Sequence, residues 1–188
     1  MDSQELYQTL IDKQHNILKS SYFDTPLGSM LAISDDQELY LLEFIERRGL
    51  ERGIERLRIK TKSAIIPGRT TIIDSIEEEL ASYFAGNLKN FKTPIHMMGS
   101  PFQQKVWQEL MRIPYGETRS YLTQANAIGK PTGFRAVANA NGANQLAIII
   151  PCHRIIRANG ELGGYGGGIE RKQWLINLER RHNESVEN

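Results

Sequence analysis

Short apolar runs separated by turn residues organise the first part of this chain. Tyr22-Phe23 leads into Asp24-Thr25-Pro26-Leu27-Gly28 and on to Met30-Leu31-Ala32-Ile33. Ser34-Asp35-Asp36-Gln37 is a second turn, and Leu39-Tyr40-Leu41-Leu42-Glu43-Phe44 follows it. The pattern predicts a hairpin and a third strand. A short helix over residues 4–19 is expected before them, and a charged helix over 51–60 after them. Ile72, Ile73, Ile76, Leu80, Tyr83 and Phe84 recur at helical spacing, which predicts an amphipathic helix from Thr71 to Phe84 ending near Gly86. Its Glu77-Glu78-Glu79 triplet reads as a solvated face. This half is a small α/β unit.

Beyond a connector over residues 87–98 the rhythm becomes helical. Ser100-Pro101-Phe102-Gln103 is a helix start, with Ser as N-cap, Pro at the first helical position and Gln three residues after the cap. Phe102, Val106 and Leu110 form one stripe, flanked by Trp107 and Met111, before Pro114-Tyr115-Gly116-Glu117 breaks it. Helices from Ser120 to Ile128 and from Phe134 to Gly142, joined by the turn Gly129-Lys130-Pro131-Thr132, make a helix-turn-helix pattern. The second of these is almost all small residues, and Arg135 is its one long side chain. Such a surface suits close approach to something large and flat, or close packing on a core. A last helix over residues 169–180 puts Leu175 and Glu179 on one face. Glu179 there is either a solvated helix-end carboxylate or an inward one, which would need a partner such as a protonated imidazole.

Gly160-Glu161-Leu162-Gly163-Gly164-Tyr165-Gly166-Gly167-Gly168 fails as a phosphate loop: no GxGxxG register fits and no GK[ST] follows. A mobile lid or a pocket wall made of backbone suits it better.

Composition narrows the class. The 188 residues, 40% of them apolar, can build one large domain or two small ones. The N-terminus lacks the basic and apolar stretches of a secretory signal. The aliphatic run ending at Ile150 is far too short to span a bilayer. A lone thiol argues for a reducing compartment, so a cytoplasmic protein is expected, with no membrane association. The net charge of +1 hides an asymmetry: residues 1–93 carry 12 Lys+Arg against 15 Asp+Glu, and residues 94–188 carry 11 against 7. A mildly basic C-terminal half is compatible with a polyanionic partner, at a modest salt dependence.

Cys152 is the one cysteine, placed where Ile148-Ile149-Ile150-Pro151 gives way to His153-Arg154. A disulfide within the chain, a CxxC couple and a Cys-rich zinc site are thereby excluded. Adjacent His⁺ or Arg lowers a thiol pKa and favours the nucleophilic thiolate. A buried free thiol beside an incidental histidine is the competing reading.

The segments together resemble the O6-alkylguanine-DNA alkyltransferases (methylated-DNA--protein-cysteine methyltransferases). The resemblance runs from Ser100 to Glu179 through Pro101-Phe102, Val106-Trp107, Ile113-Pro114-Tyr115-Gly116-Glu117-Thr118, Ser120-Tyr121, Arg135-Ala136-Val137, Asn144, Ile150-Pro151-Cys152-His153-Arg154, Gly164-Tyr165, Arg171-Lys172 and Trp174-Leu175. A weaker match at Thr25-Pro26-Leu27-Gly28 extends it into the N-terminal half. The resemblance implies a ribonuclease-H-like α/β domain over residues 1–93 and a mostly helical, winged-helix-like catalytic domain with the helix-turn-helix over 94–188.

It also implies suicide DNA repair: one alkyl group moves from O6-alkylguanine, and O4-alkylthymine, to Cys152, with no cofactor, metal or obligatory protein partner. His153 would act as base through a water, Glu179 would hold the imidazole, and Asn144 would brace the turn. Tyr121 would donate to guanine N3. The carbonyls of Cys152 and Ile155, the Gly166 N–H, Tyr165 and Ala147 would line the base pocket. Where Ala147 stands, some relatives have proline, so a roomier pocket is expected. Double-stranded DNA would be engaged through the minor groove by Thr132, Tyr121, Ala136, Ala138 and Ala140, with Arg135 filling the space of the flipped nucleotide. A lesion sensor that binds without reacting, and a cysteine hydrolase, are the competing functions.

Overall fold

The computed structural model describes residues 17–184. Strands β1 (Ile17–Thr25), β2 (Gly28–Ser34) and β3 (Leu39–Phe44) form the expected antiparallel meander. Helix α1 (Leu50–Thr61) then carries the chain back to β4 (Ala64–Pro67), which pairs parallel to β1, so the sheet order is β3-β2-β1-β4. The strand β4 escapes the sequence pattern because it is four residues long and faces solvent at the sheet edge. The helix expected over residues 4–19 falls mostly outside the described residues, and Ile17 to Lys19 belong to β1.

Successive side chains of a strand point to opposite faces, and both faces of this sheet are covered. Leu31, Ile33 and Leu41 pack with Leu57 of α1 on one side. Met30, Ala32, Leu42 and Phe44 face the other, against α2 (Thr71–Phe84). Thr70 caps α2 by accepting from the Ile73 N–H at 3.1 Å. Glu79 is not simply solvated as its triplet suggests: it accepts from the backbone N–H groups of Lys92 and Thr93 at 2.8 and 3.1 Å and ties down the connector.

The C-terminal unit shares that second core. Helix α3 (Pro101–Met111) opens with the full capping box of Ser100 and Gln103. Its Trp107 donates to the Ala140 carbonyl at 2.8 Å, which seats α5 (Phe134–Gly142) beside it. Gln124 of α4 (Tyr121–Ala127) and Asn141 of α5 exchange side-chain hydrogen bonds at 2.8 and 3.1 Å, fixing the two helices of the helix-turn-helix. A short parallel pair, β5 (Arg119–Ser120) with β6 (Ile155–Ile156), and the long α6 (Ile169–Glu184) complete the unit.

Edge strand β3 joins the halves. It takes the connector through the Leu39 N–H to the Pro94 carbonyl at 2.9 Å. It also takes the segment leading to Cys152, through Leu42 N–H to Gln145 O and Ala147 N–H to Leu42 O, at 2.9 and 2.8 Å. Ile148 then turns the chain with φ +72°, a left-handed conformation that a β-branched residue adopts only under constraint. Among the described residues no helix is long and apolar enough to cross a membrane.

Candidate active site

Cys152, His153 and Arg154 form a single 3-10 turn after Pro151. Consecutive side chains on it diverge, and the three point to different partners. The thiol faces Asn144, whose amide donates to the Ile150 carbonyl at 2.9 Å and to Cys152 Sγ at 3.3 Å, while its oxygen accepts from the Leu146 N–H at 2.9 Å. Asn144 therefore clamps both ends of the loop that presents the sulfur.

His153 and Arg154 turn inward to Glu179, which is 1% exposed. Of the two readings of Glu179, the inward carboxylate holds and the solvated helix-end one does not. Glu179 accepts from His153 Nε2 at 2.8 Å, from Arg154 Nε and Nη2 at 2.9 and 3.0 Å, from the Tyr83 hydroxyl at 2.7 Å and from the Gly116 N–H at 3.2 Å. These donors come from separate stretches of chain. Burial would raise the Glu179 carboxyl, but His153 and Arg154 outweigh it and hold the group well below the usual carboxylate range. Burial pushes the His153 imidazole down against the pull of Glu179, so the ring rests neutral. With Nε2–H donated to the carboxylate, the network assigns the bare lone pair to Nδ1, which is buried and has no partner among the described residues.

The expectation that adjacent His and Arg lower the thiol pKa is also corrected. Arg154 is committed to Glu179 and, at 2.6 Å, to the Ile113 carbonyl. Burial pushes the Cys152 thiol up, opposed by the Asn144 hydrogen bond and by two cations from elsewhere, Arg47 and Lys172. Arg47 follows β3 and pairs with the buried carboxylate of Glu43. It also donates to the carbonyls of Asn144 and Gly142 at 2.5 and 2.7 Å, so it reaches across 97 residues of sequence to brace the clamp. Lys172 is fully buried and donates to the carbonyls of Ile155 and, at 3.2 Å, Gly164. Its burial pulls the ammonium down to about 8.

A cavity of about 10 Å³ touches the sulfur, lined by Cys152, Asn144, Ala147, Tyr165 and Gly166 among others. That space holds about one water molecule. The glycine-rich segment closes it. A side chain at Gly166 would lie 3.0 Å from Arg47 Nε, and one at Gly167 2.8 Å from the Tyr165 ring. The Tyr165 ring meets His153 edge-on at 6.4 Å. Tyr121 lies under the same segment, within 3.3 Å of where a Gly163 side chain would start. Burial pushes the Tyr121 phenol up, and a thiolate at Cys152 pushes it further. The Ile155 carbonyl accepts from Lys172, and the Cys152 carbonyl accepts from the Ile155 N–H.

On α5, Arg135, Ala136 and Asn139 are exposed and Ala138 is half-buried, whereas Ala140 is buried in the core. Ala140 therefore leaves the outward face expected of it. Thr132 is exposed at the turn before α5. As members of the site, Arg47, Glu43 and Tyr83 escaped sequence reasoning, which placed Glu43 in a strand and Tyr83 in a helix stripe only. Lys172 was visible within Arg171-Lys172, but nothing local indicated its burial.

The fold and site define a cysteine centre with a Glu–His pair, mounted beside a helix-turn-helix. Residues 101–181 match the family described as 6-O-methylguanine DNA methyltransferase, DNA binding domain. The methylated-DNA--protein-cysteine methyltransferase of Mycobacterium leprae is 40% identical over 157 residues, covering 84% of this chain and 89% of that protein. Its counterpart in Mycolicibacterium paratuberculosis is 56% identical over 105 residues, 56% of this chain, and the match spans 64% of that relative's length. The crystal structure of Mycobacterium tuberculosis OGT in complex with DNA is similar with a TM-score of 0.75 and 38% identity, over 88% of this chain and 94% of that one. This chain belongs to the methylated-DNA--protein-cysteine methyltransferase family.

Proposed function

We propose that this protein repairs O6-alkylguanine in duplex DNA by moving the alkyl group to Cys152, once per molecule. The observation that carries the reading is the buried Glu179–His153 pair, which leaves Nδ1 as a free base beside the chain's only thiol. A water bridges Nδ1 to the sulfur, because consecutive side chains on the turn cannot meet directly. His153 takes the thiol proton as Sγ attacks the alkyl carbon. The S–C bond forms and the C–O6 bond breaks, and the purine accepts a proton at N3 from Tyr121. The proton held on His153 returns through solvent to the tyrosinate. The net change is thiol plus alkylated guanine to thioether plus guanine. The Tyr121 phenol, raised by its burial, carries its proton at neutral pH and so has one to give once the purine becomes basic. Arg47 and Lys172 stabilise the developing thiolate.

The base must leave the duplex stack to reach Sγ, at a cost of a few kcal/mol. Arg135 fills the gap, while Ala136 and Ala138, with Thr132 and Tyr121 nearby, line the minor-groove face. The segment around Gly164 and Gly166 opens to admit the purine, whose edge is read by the Gly166 N–H and the Cys152 and Ile155 carbonyls, with Tyr165 and Ala147 as walls. Asn144 braces the turn throughout. O4-alkylthymine fits the same chemistry. The sheet order with a parallel β4 supports a ribonuclease-H-like N-terminal unit, the β5–β6 pair a winged-helix-like C-terminal one, and the connector a division at residue 93. A reducing, cytoplasmic setting suits the free thiol. Incubation with an O6-methylguanine duplex followed by intact-mass analysis tests the proposal. One methyl on Cys152 and none on a Cys152→Ala variant is the expected result. Tight binding without a mass change would make the protein a sensor instead.

A further inference from the structure

A second cavity, of about 230 Å³, opens between the start of α1 and the end of α5. Arg47, Arg48, Arg52 and Arg56 line one wall, and Gly142 and Ala143 lie opposite. Arg48, Arg52 and Arg56 recur every four residues, so the first half of α1 and the loop before it present them on one face. All three are exposed. Gly53 brings the helix close to the C-terminal unit: a side chain there would begin 2.6 Å from Gln145 Nε2.

The nearby carboxylates are already committed. Glu43 pairs with Arg47, Glu46 with Arg171 and Glu55 with Arg58. Glu51 lines the neighbouring groove rather than this cavity. Among the described residues, Arg48, Arg52 and Arg56 have no hydrogen-bonding or ionic partner. Three guanidinium groups around one concave site, with no carboxylate to offset them, make a local positive potential that favours an anion there, and planar guanidinium suits phosphate oxygens in particular. The cavity is also continuous with the end of α5, the helix that carries Arg135.

We infer that this cavity binds the backbone phosphates of DNA flanking the lesion, so that the N-terminal unit takes part in holding the duplex. The inference rests on the reading of α5 as the DNA-facing helix. It makes the salt dependence of binding steeper than the net charge of +1 implies, because counterion release follows the phosphates neutralised locally.

The test uses the full chain carrying Arg48→Gln, Arg52→Gln and Arg56→Gln together, and the corresponding triple lysine variant. Dissociation constants are measured across a salt series for one duplex with O6-methylguanine and one without. The glutamine variant should bind both duplexes on the order of tenfold more weakly. Its plot of log affinity against log salt should be shallower by about 0.9 for each phosphate it no longer neutralises. The lysine variant should keep most of that slope, and both should react with free O6-benzylguanine at the parent rate, which also shows they are folded. Parental affinity and slope in the glutamine variant would overturn the inference. So would an equal loss against the free base, or inorganic phosphate saturating the parent protein without competing with DNA. Failure of the parent protein to bind duplex or acquire a methyl group would instead remove the proposed function.

Discussion

His153 and Glu179, 26 residues apart in sequence, meet at 2.8 Å in a part of the core that excludes solvent from both. The carboxylate serves a cation there as well, since Arg154 donates to both of its oxygens. Removing its charge leaves a buried guanidinium without a counter-ion, which typically costs about 3–5 kcal/mol. Glu179→Gln should therefore lower the urea midpoint substantially and slow alkyl transfer, because the His153 tautomer is no longer enforced. A variant with the parent midpoint would show that the pair contributes little to the fold.

Acid should destabilise the protein in two stages. The folded-state pKa of His153 lies below its ordinary 6.5, so between the two values the unfolded chain binds a proton that the native state refuses. Stability therefore falls as pH drops through about 6.5. Glu179, depressed below its ordinary 4.5, repeats the effect from there downward. Urea midpoints recorded from about pH 8 to about pH 3 check this, and a flat profile between about 7 and 4 would contradict it.

What the sequence made legible is local. The capping box of Ser100 and Gln103, the helix over Thr71–Phe84 and the hairpin depend on residues within a few positions of each other, and the structure has them all. The resemblance located Cys152, His153, Asn144 and Glu179, and all four converge. Arg47 was out of reach because its partners, Gly142 and Asn144, become neighbours only when β3 takes up the segment before Cys152. The inward turn of Glu179 was ambiguous for the same reason: its donors arrive from distant stretches of chain. Ala140 shows the limit of composition, since one small residue faces outward and another inward on the same helix.

The resting thiol should be unreactive at neutral pH. Burial pushes Cys152 upward more than Arg47, Lys172 and Asn144 pull it back. Modification by iodoacetamide, followed by intact mass, should accelerate as pH rises to about 9 without a plateau near neutrality. Transfer from the alkylated base should remain efficient at neutral pH, because His153 accepts the proton during attack. Fast iodoacetamide labelling at neutral pH would reveal a resting thiolate and make the His153 step unnecessary.

Arg47→Met should affect the site from a distance. The change strips the hydrogen bonds to Asn144 O and Gly142 O and leaves Glu43 buried without its cation. A fall of about 3 kcal/mol in stability is expected. Arg47→Lys should recover only part of it, because an ammonium cannot reproduce the forked geometry. Equal midpoints for the parent and the methionine variant, measured in urea, would remove Arg47 from the support of the cysteine loop.

Arg135 separates base flipping from chemistry. It is exposed on α5 and its guanidinium lies over the Phe134 ring at 5.8 Å, with no carboxylate partner to restrain it among the described residues. Arg135→Ala should therefore leave the urea midpoint unchanged. In duplex DNA the side chain would occupy the space a flipped nucleotide vacates, and stacking there is worth ~1–3 kcal/mol. Repair of O6-methylguanine within a duplex should then slow on the order of ten- to a hundredfold. Reaction with free O6-benzylguanine, which needs no flipping, should keep the parent rate. Comparing the two rate constants for parent and variant decides the matter: equal slowing on both substrates would place Arg135 in the chemistry of Cys152 rather than in the opening of the duplex.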